Sequence, residues 1–125
     1  MIAFRLNSTS GLSTYLQLAQ QVRQALRLGT LQPGDQLPTV KDVVASLAIN
    51  PNTVLKAYRV LESEGLIQGR PGQGTFVIRS LQGVASPKQA ALHRALAQWV
   101  GEALAAGLDA DSVEAMFASA MRCAQ

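Results

Sequence analysis

The chain has 125 residues, 48% of them hydrophobic, and carries 11 lysines and arginines against 8 aspartates and glutamates, a net charge of +3. This length suits one domain, or a small domain with an appendage, and is enough to bury a core without disulfides or metals. A single cysteine, a first segment without the apolar stretch of a signal peptide, and no run of about 18 apolar residues argue against an internal disulfide, secretion and a membrane span, so we expect a cytoplasmic protein.

The first predicted helix follows a short segment, Met1–Leu6, whose weak alternation suits a strand or an arm. Ser13–Leu28 repeats apolar residues at helical spacing. We expect one face of this helix to enter the core: Tyr15, Leu18, Ala19, Val22 and Leu26. Gly29 ends the helix, and Gln32–Asp35 forms a turn.

Two short helices are predicted next, almost without a gap between them. Thr39 and Asp42 have the spacing of a capping box, and the helix that follows has an apolar face formed by Val40, Val43, Val44 and Leu47. Asn50 is a favoured N-cap, and Pro51 suits the first position of a helix that runs to about Glu64. Such a compact pair is typical of a helix-turn-helix.

A β-hairpin is predicted after the second of these helices. Ile67–Arg70 and Thr75–Arg79 have strand character, and the proline and glycines of Pro71–Gly74 supply the turn between them. A hairpin in this position is the wing of a winged helix-turn-helix. The fold class predicted for the whole chain is mostly α with a small β-hairpin.

The helix from Pro51 has two chemically different faces. Val54, Ala57, Tyr58 and Leu61 gather on one side and are expected in the core, whereas the opposite side is polar. A helix that enters the DNA major groove needs this layout, and its free N–H groups favour a phosphate. The predicted DNA-binding residues are Lys41, Asn50, Asn52, Thr53, Lys56, Arg59, Arg70, Gly72, Gln73 and Gly74. The alternatives are an ordinary solvated helix face and a plain hairpin turn.

The rest of the chain is predicted to be a helical hairpin behind a linker, Leu81–Ser86. Ser86 is the expected cap of a helix that begins at Pro87 and runs to about Ala106, and Asp109 the cap of a last helix. Two such apolar helices cannot bury both faces internally, so we expect a homodimer. The predicted dimer interface comprises Leu92, Leu96, Trp99, Val100, Ala103, Val113, Met116, Phe117 and Ala120.

The distribution of charge also divides the chain at the predicted linker. Residues 1–80 carry eight basic and four acidic side chains and form the predicted DNA-binding domain, whereas residues 81–125 carry three and four and form the predicted dimerisation domain. His93 and Cys123 are isolated, so we predict no catalytic residues, no metal and no cofactor. Trp99 and Phe117 suit a small-molecule pocket, but aromatic residues at helical spacing more commonly belong to a core or an interface.

Five segments of the first eighty residues give the chain a dense similarity to one family. These segments are Tyr15–Leu18, Leu31–Thr39, Asn50–Tyr58, Glu62–Ile67 and Gly72–Val77. Through them the chain resembles the GntR family of bacterial transcription regulators, and its short helical tail is similar to that of the YtrA subfamily.

The resemblance implies an N-terminal domain that binds an operator on double-stranded DNA as a dimer and a C-terminal part that dimerises. Many members carry arginine where Lys41 and Pro51 stand, which moves the expected base reading towards Asn52, Thr53 and Lys56. The tail is too short for the effector domains of larger relatives, and a small-molecule effector is left open. We expect a repressor on an inverted repeat; the alternatives are a protein-interaction adaptor and a non-specific architectural DNA binder.

Overall fold

The computed structural model describes residues 2–8, 11–82 and 87–124. It divides the chain into two compact units, Met1–Gly83 and Val84–Gln125. In chain order the elements are α1 (Thr14–Leu28), α2 (Val40–Leu47), α3 (Pro51–Ser63), β1 (Ile67–Arg70), β2 (Gly74–Val77), α4 (Pro87–Ala105) and α5 (Ala110–Ala124). The predicted fold class, mostly helical with one small hairpin, is confirmed.

The helix starts follow the capping residues predicted from the sequence. Thr39 and Asp42 form a full capping box, in which each side chain accepts a hydrogen bond from the other residue's backbone N–H. Asp109 accepts the N–H of Ser112 at 2.7 Å, one residue before α5 begins. Ser13 precedes α1 in extended conformation, without a side-chain capping bond. The predicted cap Ser86 lies outside the described residues.

One hydrophobic core holds the first unit together. Each of its three helices contributes an apolar face, and the strands close the remaining side. The largest fully buried side chains are Leu18, Leu26, Leu37, Leu61, Ile67, Val22, Val54 and Val77. Tyr15 and three residues of α2 are only partly buried at its edge. The faces predicted from helical spacing therefore do enter the core.

Helices α1 and α3 lie side by side and run in the same direction. Tyr15 in the first turn of α1 contacts Lys56 in the second turn of α3, and eight residues later in each segment Arg23 contacts Glu64, the C-cap of α3. The second contact is a forked ion pair, with Arg23 Nε at 3.0 Å from one Glu64 oxygen and Nη2 at 2.6 Å from the other.

The hairpin is shorter than predicted at its second strand. β1 and β2 pair antiparallel from Ile67 opposite Val77 to Arg70 opposite Gly74. The strand ends at Val77 rather than Arg79, because the N–H of Leu66 bonds the carbonyl of Leu61 in α3, so that Leu66 accepts a bond from the Ile78 N–H but returns none. It begins at Gly74 rather than Thr75, since this glycine already pairs with Arg70.

The outer edge of β2 is covered by the turn that precedes α2. The N–H of Gly34 bonds the carbonyl of Val77 at 2.8 Å, and the N–H of Val77 bonds the carbonyl of Asp35 at the same distance. Leu37 adds a third bond, from its N–H to the carbonyl of Thr75. The wing is therefore fastened to the base of the helix-turn-helix and presents no open strand on this side.

The segment before α1 is an arm held by two glutamines. Gln21 accepts the N–H of Arg5 and donates to its carbonyl, and Gln17 makes the same pair of bonds with Asn7. Phe4 enters the core. Residues 2–7 form no regular strand, so the arm is the correct one of the two structures expected for this segment.

The second unit is a hairpin of two helices. The N–H of Leu108 bonds the carbonyl of Ala103, and the N–H of Gly107 bonds that of Leu104, the paired bonds of a Schellman ending to α4. Within the described part of this unit, Ala103 and Val113 are the only buried residues. Most of the apolar surface of the two helices therefore remains exposed.

Candidate nucleic-acid interface

Helix α3 presents a polar face away from the core. Its buried residues are those expected from the sequence: Val54, Ala57, Tyr58 and Leu61. Asn52, Lys56 and Arg59 are exposed on the other side, and Thr53 between the two faces is half-buried. Amide, ammonium and guanidinium groups are the donors that read base edges and phosphates in DNA.

The start of α3 differs from one expectation. The side-chain oxygen of Asn50 accepts the N–H of Asn52 at 2.8 Å, and the backbone carbonyl of Asn50 accepts the N–H of Thr53 at 3.0 Å. Pro51 has no N–H to offer. The first N–H groups of α3 are therefore engaged within the turn, and the prediction that they are free for a phosphate is wrong. Side chains must provide the donors here.

One buried hydrogen bond fixes α3 against the start of α2. The Tyr58 hydroxyl donates to the carbonyl of Pro38 at 2.6 Å, immediately before the Thr39 cap. Burial, assisted by the negative charge of Asp42, raises the pKa of Tyr58, so the hydroxyl keeps its proton and remains a donor. Lys41 is exposed in the first turn of α2, so its position relative to α3 depends on how α2 is held.

The wing carries a basic side chain held by an aromatic ring. The Arg70 guanidinium carbon lies 4.9 Å from the centroid of the Phe76 ring, its diagonal neighbour across the hairpin. Gly74, directly opposite Arg70, has no side chain to obstruct this diagonal contact. The exposed tip consists of Pro71, Gly72 and Gln73.

Two glycines are required by the geometry of the wing. Gly72 has a φ of 75° in the turn closed by the bond from the Gln73 N–H to the Arg70 carbonyl, as a type II turn demands after proline. Gly74 has a φ of 126°, and a Cβ there would lie 2.5 Å from the Gln36 side-chain nitrogen. That nitrogen donates to the carbonyl of Gln73 at 3.3 Å.

An open groove of about 630 Å³ separates the wing from the beginning of α2. Thr39 lines one side, and residues 69–75 line the other. The groove is open rather than enclosed, so it suits an extended chain better than a small molecule. A nucleic-acid backbone is such a chain, and Arg70 lies on the wall of the groove.

The basic side chains of this surface are available for an external partner. Among the described residues the one ion pair joins Arg23 to Glu64, on the flank of α1 and α3. Lys41, Lys56, Arg59 and Arg70 are all exposed and have no carboxylate within 4 Å in the described ranges. Unpaired cations of this kind attract a polyanion.

Two residues of this surface were not identified from the sequence. Tyr15 was assigned to the core, but its ring also lies under the Lys56 ammonium, 4.1 Å from Nζ to the ring centroid. Gln36 was given no role of its own, but its side chain donates to the carbonyl of Gln73 in the wing. Both contacts join segments far apart in the chain, and helical spacing carries no signal for them.

The nine residues predicted for a dimer interface all lie on the two helices of the second unit. Ala103 and Val113 are buried where α4 meets α5, and Trp99 and Val100 are half-buried. Five are exposed: Leu92, Leu96, Met116, Phe117 and Ala120. An apolar groove of about 380 Å³ runs between the helices.

Other kinds of site are not found in the described ranges. No three His, Cys, Asp or Glu side chains there are grouped so that they could hold a metal ion. Cys123 is exposed near the end of α5. No helix of the described chain is both long and apolar enough to cross a membrane.

Comparison with known proteins identifies relatives of this chain. The family model described as "Bacterial regulatory proteins, gntR family" matches residues 14–77, from α1 to the end of the wing. The HTH-type transcriptional regulator Rv1152 of Mycobacterium tuberculosis is 39% identical over 104 residues, which cover 83% of this chain and 82% of that protein. The HTH-type transcriptional repressor YtrA of Bacillus subtilis is 38% identical over 73 residues, 58% of this chain and 56% of that protein.

Solved structures share the architecture. YtrA from Sulfolobus acidocaldarius, a GntR-family transcription factor, superposes with a TM-score of 0.55 at 26% identity, covering 95% of this chain and 97% of that one. The DNA-binding domain of AraR in complex with operator ORE1 superposes with a TM-score of 0.51 at 27% identity, covering 62% of this chain and 94% of that one. The first similarity extends through the tail, and the second is to a domain bound to DNA.

Proposed function

The chain belongs to the GntR family of bacterial regulatory proteins, as a helix-turn-helix transcription regulator and not an enzyme, and from this premise we propose that it represses transcription by binding an inverted-repeat operator as a homodimer. In this proposal residues 1–80 bind DNA, and residues 81–125 hold two copies together. Each copy reads one half of the operator, because a two-fold symmetric protein matches a two-fold symmetric site.

The observation that carries the proposal is the exposed polar face of α3. Asn52 and Lys56 stand on this face without a partner carboxylate among the described residues, and they offer donors suited to base edges and phosphates. Lys41 on α2 and Arg70 on the wing provide two further exposed cations. In this arrangement α3 reads the major groove, while Lys41 and Arg70 contact the backbone or the minor groove.

The exposed apolar residues of the tail support the homodimer. Leu92, Leu96, Met116 and Phe117 are between 39% and 61% exposed. A contiguous apolar surface of this kind is the mark of an interaction site rather than of a free surface. A second copy of the same hairpin supplies a matching apolar surface, which makes it the simplest occupant.

Alanine substitution tests the assignment of α3. The probe is a duplex enriched from a random-sequence pool on the purified protein. Asn52→Ala and Lys56→Ala are each expected to weaken its binding by about 1–3 kcal/mol, measured by mobility shift. Gln24→Ala on α1 and Lys88→Ala on α4 are matched truncations of exposed residues and should bind as the unmodified protein does. Normal binding by both α3 variants would refute the assignment.

The same measurements separate the rival functions. A specific regulator retains its duplex in excess competitor DNA, whereas an architectural DNA binder loses it and depends steeply on salt. A protein-interaction adaptor enriches no duplex at all. Repression itself is tested with a reporter placed behind the promoter next to the gene: deletion of the gene should raise expression, and a fall would indicate an activator.

A further inference from the structure

The Lys56 side chain does not extend freely from α3. Its Nζ lies 4.1 Å from the centroid of the Tyr15 ring, well within the range of about 6 Å over which an ammonium is attracted to an aromatic face. Tyr15 is half-buried in the first turn of α1 and packs against the edge of the core. The ring is therefore a fixed platform, and the lysine is its mobile partner.

The helix packing dictates this contact. The parallel course of α1 and α3, anchored at its far end by Arg23 and Glu64, places the first turn of α1 beside the second turn of α3. Lys56 is on the polar side of α3 that is nearest α1. Its four-carbon stem can reach the ring while its end group stays exposed to solvent.

An ammonium on a ring face can still bind an anion. It has three N–H donors, of which one faces the ring and the others point outwards. A free lysine loses considerable rotamer entropy when it binds, about 1.5–2 kcal/mol on common scales, and a lysine already seated on a ring loses less. The contact between the Lys56 ammonium and the Tyr15 ring, called the seat below, therefore favours binding to DNA, provided that the ammonium stays on the ring in the complex.

We propose that Tyr15 is a positioning residue for DNA binding, whose ring seats the Lys56 ammonium so that it meets an acceptor oxygen of the duplex already oriented. This role rests on the proposed function, because it takes Lys56 to be a DNA contact. Tyr15 acts through Lys56, and the π face of the ring is the part that matters. Phenylalanine should therefore replace it, whereas leucine or methionine should not.

The seat itself is tested without DNA by NMR of the Lys56 side chain. Protons above an aromatic face are shifted upfield by the ring current. The Lys56 Cε protons should be shifted upfield in the unmodified protein and in Tyr15→Phe, and should move to ordinary values in Tyr15→Leu. Ordinary values in the unmodified protein would overturn the proposal before any DNA is added.

The role in binding is tested with a double-mutant cycle on the enriched duplex. Tyr15→Leu should raise Kd about two- to fivefold, in line with the strength of an exposed cation–π contact, and Tyr15→Phe should bind as the unmodified protein does. In a Lys56→Met background, Tyr15→Leu should have no further effect. Tyr15→Met serves as a second ring-free variant, and thermal unfolding checks that each variant is folded.

Each other outcome contradicts an identifiable part of the scheme. An equal loss on Tyr15→Leu in both backgrounds would show a merely structural role for Tyr15. Tighter binding by Tyr15→Leu would show that the ring holds the lysine away from DNA. Unchanged binding by Lys56→Met would overturn the role of Tyr15 but leave the regulator intact. If the protein enriches no duplex, the proposed function fails, and this role fails with it.

Discussion

Ala48 adopts a backbone conformation that alanine rarely takes. It ends α2 with φ 54° and ψ 46°, and its N–H bonds the carbonyl of Val44. It is the only non-glycine residue with positive φ in the described chain. The left-handed region costs an L-residue roughly 1–2 kcal/mol, because Cβ approaches the following carbonyl oxygen. The tight turn of the helix-turn-helix is therefore made at a local energetic cost.

Glycine at this position should stabilise the protein. Ala48→Gly removes the steric cost but makes the unfolded chain more flexible, and the net gain expected is about 0.5 kcal/mol in the free energy of unfolding. Urea denaturation measures it. Ala45→Gly, an exposed position inside α2, is the matched control and should destabilise by about 0.5–1 kcal/mol. A loss of stability in Ala48→Gly similar to that of the control would contradict the strain.

The hydroxyl of Tyr58 should contribute measurably to stability. Tyr58→Phe leaves the buried carbonyl of Pro38 without its donor, and we expect a loss of about 1–2 kcal/mol in urea denaturation. Tyr15→Phe is the control, because no hydrogen bond from its hydroxyl exists among the described residues. Equal effects of the two substitutions would mean that the bond adds nothing to the packing of the ring.

At the level of elements, α1 and α3 are joined by the ion pair between Arg23, in the second half of α1, and Glu64, the C-cap of α3. The hydrogen bond from Arg23 lowers the pKa of Glu64 below its ordinary value of 4.5. A carboxylate with a lowered pKa stabilises the fold above its unfolded pKa, and this stabilisation disappears as the pH falls through the folded value. Both side chains are substantially exposed, so the contribution is small.

Glu64→Gln should therefore reduce stability in a pH-dependent manner. We expect a loss of about 0.5 kcal/mol at pH 7 that fades below about pH 4.5, measured by urea denaturation across this range. High salt should shrink the loss at pH 7. Glu62→Gln is the control, since Glu62 is exposed and forms no ion pair within the described residues. A loss that persists unchanged at pH 3 would argue against the ion pair as its cause.

The elements were predictable from the sequence to the extent that local chemistry defines them. The capping residues predict where three helices begin, and the helices do begin there: at Thr39 with Asp42, at Asn50 with Pro51, and at Asp109. The end of β2 was wrong because it depends on Leu66, whose N–H bonds the carbonyl of Leu61 in α3 instead of returning a bond to Ile78. That bond follows from the turn after α3, and strand propensity does not register it.

The candidate site was predictable only in part, for the same reason. The polar face of α3 follows from a repeat of 3.6 residues. The platform under Lys56 instead requires knowing that α1 and α3 run parallel, and the brace on the wing requires that Gln36 meet Gln73, 37 positions away. Contacts of this kind arise from tertiary packing and leave no periodic trace in the sequence.

In the whole molecule, the two units have unequal means of burying apolar surface. The first closes its own core, whereas the second leaves its long apolar side chains exposed. Since a two-helix hairpin is marginal in water without a partner surface, the folding of the tail and its association should be one process. The tail should then lose helicity on dilution to concentrations at which the protein is monomeric.

A charge in the apolar face should separate the copies. Trp99→Asp is expected to yield monomers in analytical ultracentrifugation. It should also weaken binding to the enriched duplex, because the two DNA-binding domains are no longer held together. Ala90→Asp introduces the same charge at an exposed position on the opposite side of α4 and should leave the protein dimeric. Unchanged association of Trp99→Asp would place the dimer contact elsewhere.

Gln17 and Gln21 bind the N-terminal arm by its peptide groups alone. Every amino acid except proline offers the same N–H and carbonyl, so these bonds survive almost any exchange at positions 5 and 7. The two glutamines cannot be exchanged in the same way, since a shorter or charged side chain cannot both donate to the carbonyl and accept from the N–H of the arm. Among relatives that retain this arm, we expect its sequence to diverge freely while the two positions on α1 that grip it do not.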